Sequence, residues 1–312
     1  MGIKDRLKTG IQKNLNQKYI KRLLGIIGRK PILYAYGSTF SSVSDKYLNI
    51  FTIESYRDAY SNNNTPIGYG SLFIPYEMLH ALGIIPFPPE IMAVFTAALG
   101  ISAQTIKQSS SNWYSQDLCT FHRSSSGAVE LDAFPKPDFI LTTNLACDAA
   151  QKSFYIYARK YNIEKNFYLI DVPYHYSKES LRYLTGQIKN IYTDIISKIG
   201  RKPGNSKFEE AISLSNEFRK WAVKVNNIRK TLTDYPPYFN ALSYILPFHV
   251  FPGTKKAVTL YKYMYRELKE HLDRQQYENR DKSKRSKKIL WLHLKPYYKS
   301  EIFEILKKDI EG

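Results

Sequence analysis

The sequence predicts an α/β protein built around a parallel β-sheet. Two apolar runs, residues 139–143 and 166–171, have the length and composition of buried strands. Helical patterns follow them at residues 148–161 and from Ser177 onward, and the run at 67–75 supplies a third strand. Strands that alternate with helices of this length form parallel sheets, because each helix carries the chain back across one face of the sheet. We therefore expect a Rossmann- or flavodoxin-like sheet domain.

The segment after the first predicted strand is divided by cap residues and prolines. One or two helical turns are expected over Glu77–Leu82, and Gly83 is suited to end them as a C-cap. The three prolines within residues 86–89 are expected to exclude regular structure until a helix begins near Glu90, because proline lacks a backbone donor.

The second half of the chain is predicted to be mostly helical. The helix that begins at Ser177 has leucines and isoleucines at spacings of three and four and stops at Gly200. Ser206 and Glu209 have the spacing of a capping box, which predicts the start of the next helix. A last long helix is expected to open at Thr254. The helical extension therefore follows the sheet domain.

These patterns divide the chain into four segments. Residues 1–60 are a basic N-terminal helical segment, and residues 61–205 are the α/β domain expected to hold the functional site. Residues 206–279 are the helical segment. Residues 280–312 are a basic linker followed by a strand at 289–294 and a helix, which we interpret as the start of a second α/β domain.

Composition excludes several classes of protein. The 312 residues are 43% hydrophobic and 24% charged, which is typical of globular proteins rather than disordered ones. Two cysteines exclude a disulfide framework and a four-cysteine zinc module within the chain. The longest uncharged apolar run is too short and too polar to span a bilayer, and the N-terminus lacks the cleavage site of a secretory signal. We expect a cytoplasmic protein with no membrane among its partners.

The net charge of +18 is distributed unevenly. Residues 1–60 carry 11 Lys or Arg against 4 Asp or Glu, and residues 181–312 carry 27 against 14, whereas the middle of the chain is slightly acidic. The densest cluster, residues 280–288, is interpreted as a solvated linker, so we do not expect nucleic acid as the main partner. A nucleic-acid or anionic-surface binding protein remains an alternative, and this charge would also attract an anionic ligand.

Candidate chemistry centres on the two cysteines. Cys147 follows a predicted buried strand and precedes a helix, where the helix N-terminus is expected to lower the pKa of its thiol and favour a metal ligand or a nucleophile. Cys119 lies three residues before His122, which makes a cysteine–histidine pair conceivable. The alternative is that both cysteines are ordinary buried residues, because a gap of 28 residues matches no local metal motif.

The remaining candidates are carboxylates at loop ends. Glu77 is either a base or a helix-start residue, and Asp171 ends a strand, where a turn-capping role is the simpler interpretation. Gly68 and Gly70 lack the further glycine and the lysine of a phosphate-binding loop. ATP binding by either familiar glycine-rich loop is therefore not expected.

Several segments in order give the chain a family resemblance. They are Gly68-Tyr69, the run IPYEMLHALGIIP at 74–86, the Cys119 segment with Arg123, Asn144 to Asp148, Leu169 to Pro173, and Ala211 with Asn216 to Arg219. Together they resemble the 2-hydroxyacyl-CoA dehydratase / benzoyl-CoA reductase subunit family, of the 2-hydroxyglutaryl-CoA dehydratase D-component type. The resemblance covers roughly residues 60–295.

The resemblance implies an iron–sulfur subunit. Subunits of this family are similar two-domain α/β proteins that hold a [4Fe-4S] cluster, and Cys119 and Cys147 fall on the positions of its first two thiolate ligands. The family's third cysteine belongs to the second domain, most of which we expect this chain to lack. The implied reaction is radical dehydration of a 2-hydroxyacyl-CoA, or reduction of an aromatic thioester in the reductase branch.

The resemblance also implies substrate contacts and partners. The loop from Ser71 to Glu77 matches the loop that contacts the acyl-CoA, with Ser71 as a polar contact and Glu77 near the substrate. The implied partners are a homologous second subunit and an ATP-dependent activator protein that donates the electron. An alternative is a truncated or non-catalytic scaffold paralogue, which would keep the fold without a complete cluster.

Overall fold

A four-stranded parallel sheet forms the centre of the described part of the chain. The structure is a computed structural model that describes residues 9–10, 15–39, 42–61, 64–111, 114–200, 204–232, 245–277, 296–298, 300–302 and 305–306. The strands are β1 (Ile67–Gly70), β2 (Ile85–Phe87), β3 (Phe139–Thr143) and β4 (Phe167–Ile170). Their spatial order is β2-β1-β3-β4. The predicted α/β class is confirmed.

The two central strands are buried along their whole length. Every residue of β1 and β3 is buried, as expected for strands covered on both faces. Gly68 pairs with Phe139 across the two strands, and a Cβ on Gly68 would stand 2.6 Å from the Phe139 ring. Glycine is therefore required there so that the phenylalanine can lie against the backbone of β1.

The expectation that prolines exclude regular structure over residues 86–89 is wrong. Ile85–Phe87 is β2, an edge strand paired with β1, with Pro86 opposite Gly68. The Ile85 N–H donates to the Pro66 carbonyl at 2.9 Å. Because alternate amides of a strand point to opposite sides, the Pro86 nitrogen faces away from β1, where a missing donor costs no ladder bond.

Helices cover the sheet and precede it. The N-terminal segment predicted to be helical contains α1, α2 and α3, and its described residues 9–10 are also helical. The helices are α1 (Gln17–Ile27), α2 (Lys30–Gly37), α3 (Val43–Ser61), α4 (Tyr76–Ala81), α5 (Pro89–Ala98), α6 (Ser102–Ser111), α7 (Thr120–Glu130), α8 (Asp148–Lys160), α9 (Lys178–Ile199), α10 (Asn205–Thr231), α11 (Ile245–His249) and α12 (Lys255–Tyr277), with a 3-10 turn at Glu164–Asn166.

The predicted helix caps are confirmed at α9 and wrong at α10. The Ser177 hydroxyl accepts from the Ser180 N–H at 3.0 Å, and Gly200 ends α9 with a φ of +64°. Helix α10 instead starts at Asn205 after Gly204, with no side-chain cap at its N-terminus. Ser206 lies inside the first turn of α10, where its hydroxyl is past the position that caps a helix.

The last long helix, α12, packs against α3. In the α3–α12 contact, Tyr47 stacks on Tyr263 with ring centroids 4.9 Å apart, and Lys256 forms an ion pair with Glu54 at 3.4 Å. The predicted strand at 289–294 lies outside the described residues, as does most of the helix predicted to follow it. No helix in the described part of the chain has both the length and the apolar character needed to cross a bilayer.

Candidate functional site

The strand order brings two loops together at one edge of the sheet. β1 and β3 are neighbours, and the chain continues from them to opposite sides, to β2 and to β4. The loop beginning at Ser71 follows β1, and the loop ending at Cys147 follows β3. Ligands of open parallel sheets bind in the crevice outside such a pair of carboxyl ends. The geometry thus defines the candidate site.

Ser71 lies at the bottom of this crevice. The residue is 1% exposed, and its N–H donates to the Leu141 carbonyl on β3 at 3.2 Å. Its hydroxyl oxygen has no hydrogen-bond partner among the described residues. A buried hydroxyl without a partner is costly, so Ser71 has the property expected of a group that bonds a bound ligand.

Glu77 is directed to the helical extension. It lies in the first turn of α4, and its Oε1 atom accepts from the Ser215 hydroxyl on α10 at 2.5 Å. Gly253 also approaches it, since a Cβ on that glycine would stand 3.1 Å from the Glu77 Cα. The contacts of Glu77 therefore join the loop after β1 to α10, and its place near a substrate stays a prediction.

Both cysteines occupy the N-cap positions of helices. Cys119 precedes α7 and is exposed, whereas Cys147 precedes α8 and is half-buried. They are near enough for the charge of one to affect the other, because a Cys119 thiolate would raise the pKa of Cys147. The two helix N-termini therefore present both sulfur atoms to the same region.

The expected low pKa of the Cys147 thiol is wrong. Burial raises this pKa, although the N–H groups of Ala150 and Ala149 at the start of α8 lower it in part. The predicted position at a helix N-terminus is thus right, but the loss of hydration outweighs the helix dipole. Without a metal or a cationic partner, Cys147 is held as a thiol.

His122 contacts Cys147 rather than its near neighbour in sequence, Cys119. The Nε2 atom of His122 lies 3.4 Å from the Cys147 Sγ, and the imidazole is buried. Burial lowers the pKa of His122 to about 4, so the ring is neutral at physiological pH. Its Nδ1 atom has no hydrogen-bond partner in the described part of the chain.

Glu90 is a site residue that the sequence interpretation treated only as a helix start. It lies in the first turn of α5, is 6% exposed, and has an Oε1 atom 3.5 Å from His122 Nε2. Its Oε2 atom accepts from the Leu72 N–H at 2.8 Å. Burial raises the pKa of Glu90 to about 8, against the opposing effect of that hydrogen bond. The sequence does contain a sign of this burial, because Glu90 is the only charged residue in the apolar run PEIMAVFTAALG.

These groups form a connected polar path through the site. It runs from the loop backbone at Leu72 through the Glu90 carboxyl to the His122 Nε2 atom, which the Cys147 sulfur also contacts. At neutral pH Glu90 is mostly protonated and His122 is neutral, so the path carries a movable proton without a buried net charge. The arrangement suits proton transfer between Glu90 and His122 Nε2, next to the Cys147 sulfur.

Cysteine sulfur is the chemical type of ligand that an iron–sulfur cluster needs, and the two cysteines could supply part of such a ligand set. Such clusters are usually held by four cysteine thiolates, and this chain has two cysteines. Among the described residues, no group of three or more His, Cys, Asp or Glu side chains is arranged to hold a metal ion. The role of Cys119 and Cys147 as two of the cluster ligands therefore stays a prediction, and further ligands would have to come from outside the described residues.

A neighbouring loop is fixed to the Cys147 loop. The Asn144 Nδ2 atom donates to Asp171 at 2.5 Å, and its Oδ1 atom accepts from the Val172 N–H at 2.7 Å. Asp171 also accepts from the Tyr183 hydroxyl at 2.9 Å. Asp171 therefore joins the loops after β3 and β4 and holds the approach to Cys147 in place.

Comparison with known protein families shows to which family the chain belongs. The family model described as "2-hydroxyglutaryl-CoA dehydratase, D-component" matches residues 71–312, most of the chain. The chain belongs to this family. The match includes Ser71, Glu90, Cys119, His122 and Cys147, and the resemblance stated from the sequence is confirmed.

Two curated relatives are subunits of named dehydratases. The chain is 23% identical over 215 residues to the "(R)-phenyllactyl-CoA dehydratase alpha subunit" of Clostridium sporogenes, covering 66% of this chain and 52% of that protein. It is 24% identical over 238 residues to the "(R)-2-hydroxyisocaproyl-CoA dehydratase alpha subunit" of Clostridioides difficile, covering 72% and 58%. The chain thus spans just over half the length of the curated relatives it matches.

Proposed function

We propose that this dehydratase-family chain is the iron–sulfur subunit of a 2-hydroxyacyl-CoA dehydratase, which removes water from an acyl-CoA thioester. The observation that carries the proposal is the meeting of Cys119 and Cys147, at the N-termini of α7 and α8, beside the buried Glu90–His122 pair. The N–H groups at the start of α8 lower the pKa of Cys147 in part, and the buried pair places a proton donor beside its sulfur.

Cys119 and Cys147 would supply two thiolate ligands of a [4Fe-4S] cluster in this proposal. When bound, such a cluster supplies a low-potential electron and an iron that acts as a Lewis acid toward the hydroxyl group of the substrate. The His122 imidazole, 3.4 Å from the Cys147 sulfur, would orient that thiolate and keep water from its buried side. The remaining ligands would come from another part of the assembly.

The loop after β1 would bind the thioester. The buried Ser71 hydroxyl has no partner of its own among the described residues, so it is available to donate to a carbonyl oxygen. Glu90 holds this loop through the Leu72 N–H and, with a pKa near 8, can hold or release a proton at its Oε1 atom. Glu77 would support the loop from its contact with Ser215.

The substrate and partners follow from the relatives. Both are dehydratase subunits that carry an acyl-CoA in their names, which favours dehydration over the reductase branch, and both are called alpha subunits. We therefore propose a CoA thioester of a 2-hydroxy acid as substrate and a homologous second subunit as partner. The proposal includes an ATP-dependent activator as electron donor and a cytoplasmic setting, where free thiols persist.

The proposal is tested by measuring iron and acid-labile sulfide after strictly anaerobic reconstitution. Each form of the chain is reconstituted with its partner subunit present, and the wild type is compared with Cys147→Ser and Cys119→Ser, and with Ser197→Ala on the exposed side of α9 as a matched control. We expect about four irons per cluster in the wild type and the control, with most of the iron lost in either cysteine variant.

A folded wild-type chain that binds no iron under these conditions, alone or with its partner subunit present, would contradict the proposal. That outcome would favour a non-catalytic scaffold paralogue. Circular dichroism of each variant separates loss of the cluster from loss of the fold.

A further inference from the structure

The N-terminal helices present a surface of unusual composition. Residues 17–39 contain no aspartate or glutamate. We define the basic corner as the exposed cationic and large apolar side chains on α1, α2 and the turn between them, namely Lys18, Lys21, Arg22, Ile26, Arg29, Lys30, Ile32 and Tyr34. Five of these eight residues are cationic, and the other three are apolar or aromatic.

The cations of the basic corner lack the carboxylate neighbours that some lysines on other helices have. On α10 and α12, lysines form ion pairs with neighbouring carboxylates, such as Lys262 with Glu217 at 2.7 Å and Lys207 with Glu210 at 3.4 Å. None of the five cations of the basic corner forms an ion pair within the part of the chain that the structure describes. Their charge is therefore available to an anionic partner.

Large apolar side chains are exposed in the same place. Ile26 is 44% exposed, Ile32 is 43% exposed and Tyr34 is 48% exposed, all within nine residues of the chain. The opposite face of α1 packs on the core through Leu23 and Leu24, so the exposed residues are not needed to hold α1 in place. Isoleucines at the margin of a cationic surface are typical of helices that lie in a lipid interface.

We propose that the basic corner binds the surface of an anionic phospholipid bilayer. The lysines and arginines would contact phosphate groups, and Ile26, Ile32 and Tyr34 would enter the region between head groups and acyl chains. Nucleic acid is disfavoured as the occupant, because isoleucine offers it neither a hydrogen bond nor a stacking surface. The proposal is independent of the proposed function.

This proposal revises the expectation that a membrane is not among the partners. That expectation rested on the lack of a spanning segment, and binding at a bilayer surface requires none. Binding through α1 and α2 would leave the crevice between β1 and β3 free, since α1 packs on α3 and its Gln17 N–H donates to Asp132, at the end of α7 opposite to Cys119.

The test is co-sedimentation of the full chain with vesicles. Vesicles of phosphatidylcholine alone are compared with vesicles containing 30 mol% phosphatidylglycerol, at roughly 0.1 M salt, where charges interact over about 10 Å. We expect binding to the anionic vesicles only. The triple variant Lys18→Gln, Lys21→Gln, Lys30→Gln should lower the partition coefficient by roughly 100-fold, because each lysine near an anionic surface contributes about fivefold.

A matched control removes the same charge elsewhere. Lys107→Gln, Lys152→Gln and Lys189→Gln lie on exposed positions of α6, α8 and α9, and this triple variant should keep nearly full vesicle binding. Equal loss in the two triple variants would overturn the proposal, since binding would then depend on net charge and not on the basic corner.

The apolar part of the basic corner is tested separately. Ile26→Ser should lower vesicle binding several-fold while leaving unchanged the binding of a 30-nucleotide duplex, measured by fluorescence anisotropy. Duplex binding that is tighter than vesicle binding and is lost in the Lys18, Lys21, Lys30 variant would overturn the proposal in favour of nucleic acid. Circular dichroism and thermal unfolding of each variant confirm that the chain remains folded.

Discussion

Gly127 of α7 lies directly against the backbone of Thr105 in α6, so that a Cβ on Gly127 would stand 1.7 Å from the Thr105 carbonyl oxygen. The same two helices share a buried hydroxyl contact, in which Ser124 lies 2.8 Å from Thr105 and 2.7 Å from Thr96 of α5. Small residues therefore set the position of α7, which begins at Cys119 and carries His122. The packing of these helices fixes the geometry of the site.

Gly127→Ala should destabilise the protein by more than about 2 kcal/mol, because a methyl group has no room against a backbone carbonyl and the helices must separate. Gly186→Ala on α9 is the control. A Cβ there meets nothing within 4 Å, so alanine should stabilise the helix by about 0.5–1 kcal/mol. Urea unfolding of both variants measures the difference. Equal stabilities would show that α6 and α7 are not in this close contact.

Glu90→Gln should change how stability depends on pH. In the folded protein the pKa of Glu90 is raised from 4.5 to about 8. The folded state therefore holds a proton that the unfolded state releases. The contribution of Glu90 to the free energy of unfolding falls as pH rises from about 4.5 to about 8. Glutamine cannot ionise. The free energy of unfolding of the variant, relative to that of the wild type, should therefore increase by up to roughly 1.4 kcal/mol per pH unit within that window.

Urea unfolding of the metal-free chain at pH 5.5, 6.5 and 7.5 measures this dependence. Glu54→Gln, which removes a partly buried surface carboxylate paired with Lys256, is the control for loss of a carboxylate at another site. Parallel pH profiles for the wild type and Glu90→Gln would mean that Glu90 is hydrated and ionised at neutral pH.

The two cysteines should differ in reactivity. Cys119 is exposed, whereas Cys147 is half-buried and burial raises the pKa of its thiol. Because the thiolate is the reactive form, iodoacetamide at pH 7.5 should alkylate Cys119 before Cys147 in the metal-free chain. Peptide mass spectrometry over a time course measures both rates. Faster alkylation of Cys147 would indicate that its contact with His122 activates the thiol.

Gly253→Ala should cost more stability than Gly200→Ala. Both glycines have positive φ angles, +86° and +64°, which disfavour any residue with a side chain. A Cβ on Gly253 would also stand 3.1 Å from the Glu77 Cα, whereas a Cβ on Gly200 meets nothing within 4 Å. We expect losses of about 2–3 kcal/mol and about 1 kcal/mol respectively. Thermal unfolding measures both, and a larger loss for Gly200→Ala would contradict this packing of Glu77.

The sequence predicts the parts of the fold that depend on local patterns. β3, α8 and α9 are confirmed within a residue or so of their predicted bounds, because an apolar run, a serine cap and a terminal glycine act over a few residues. β2 was missed because three prolines oppose a strand locally, and only its edge position makes Pro86 acceptable. The capping box predicted at Ser206 is wrong because the helix starts two residues earlier, with Gly204 in the N-cap position.

The candidate site was predicted less completely than the fold. The position of Cys147 at a strand–helix junction follows from local sequence, and so does the loop that begins at Ser71. The contact between Cys147 and His122 joins residues 25 positions apart, and it exists because α7 packs beside α8. The burial of Glu90 depends in the same way on neighbours distant in sequence, which local patterns do not contain.

The pairing of β1 with β3 has a consequence for how the chain folds. Gly68 must find Phe139 across about seventy intervening residues, which include four helices and the strand β2. Closing so long a loop lowers the conformational entropy of the chain before stabilising contacts form between the strands. We therefore expect slow folding, with β1–β3 association late in the pathway. Until then the Cys147 and Ser71 loops are apart. Assembly of the crevice is thus a late event of folding, and chaperone-free refolding would recover secondary structure before the site.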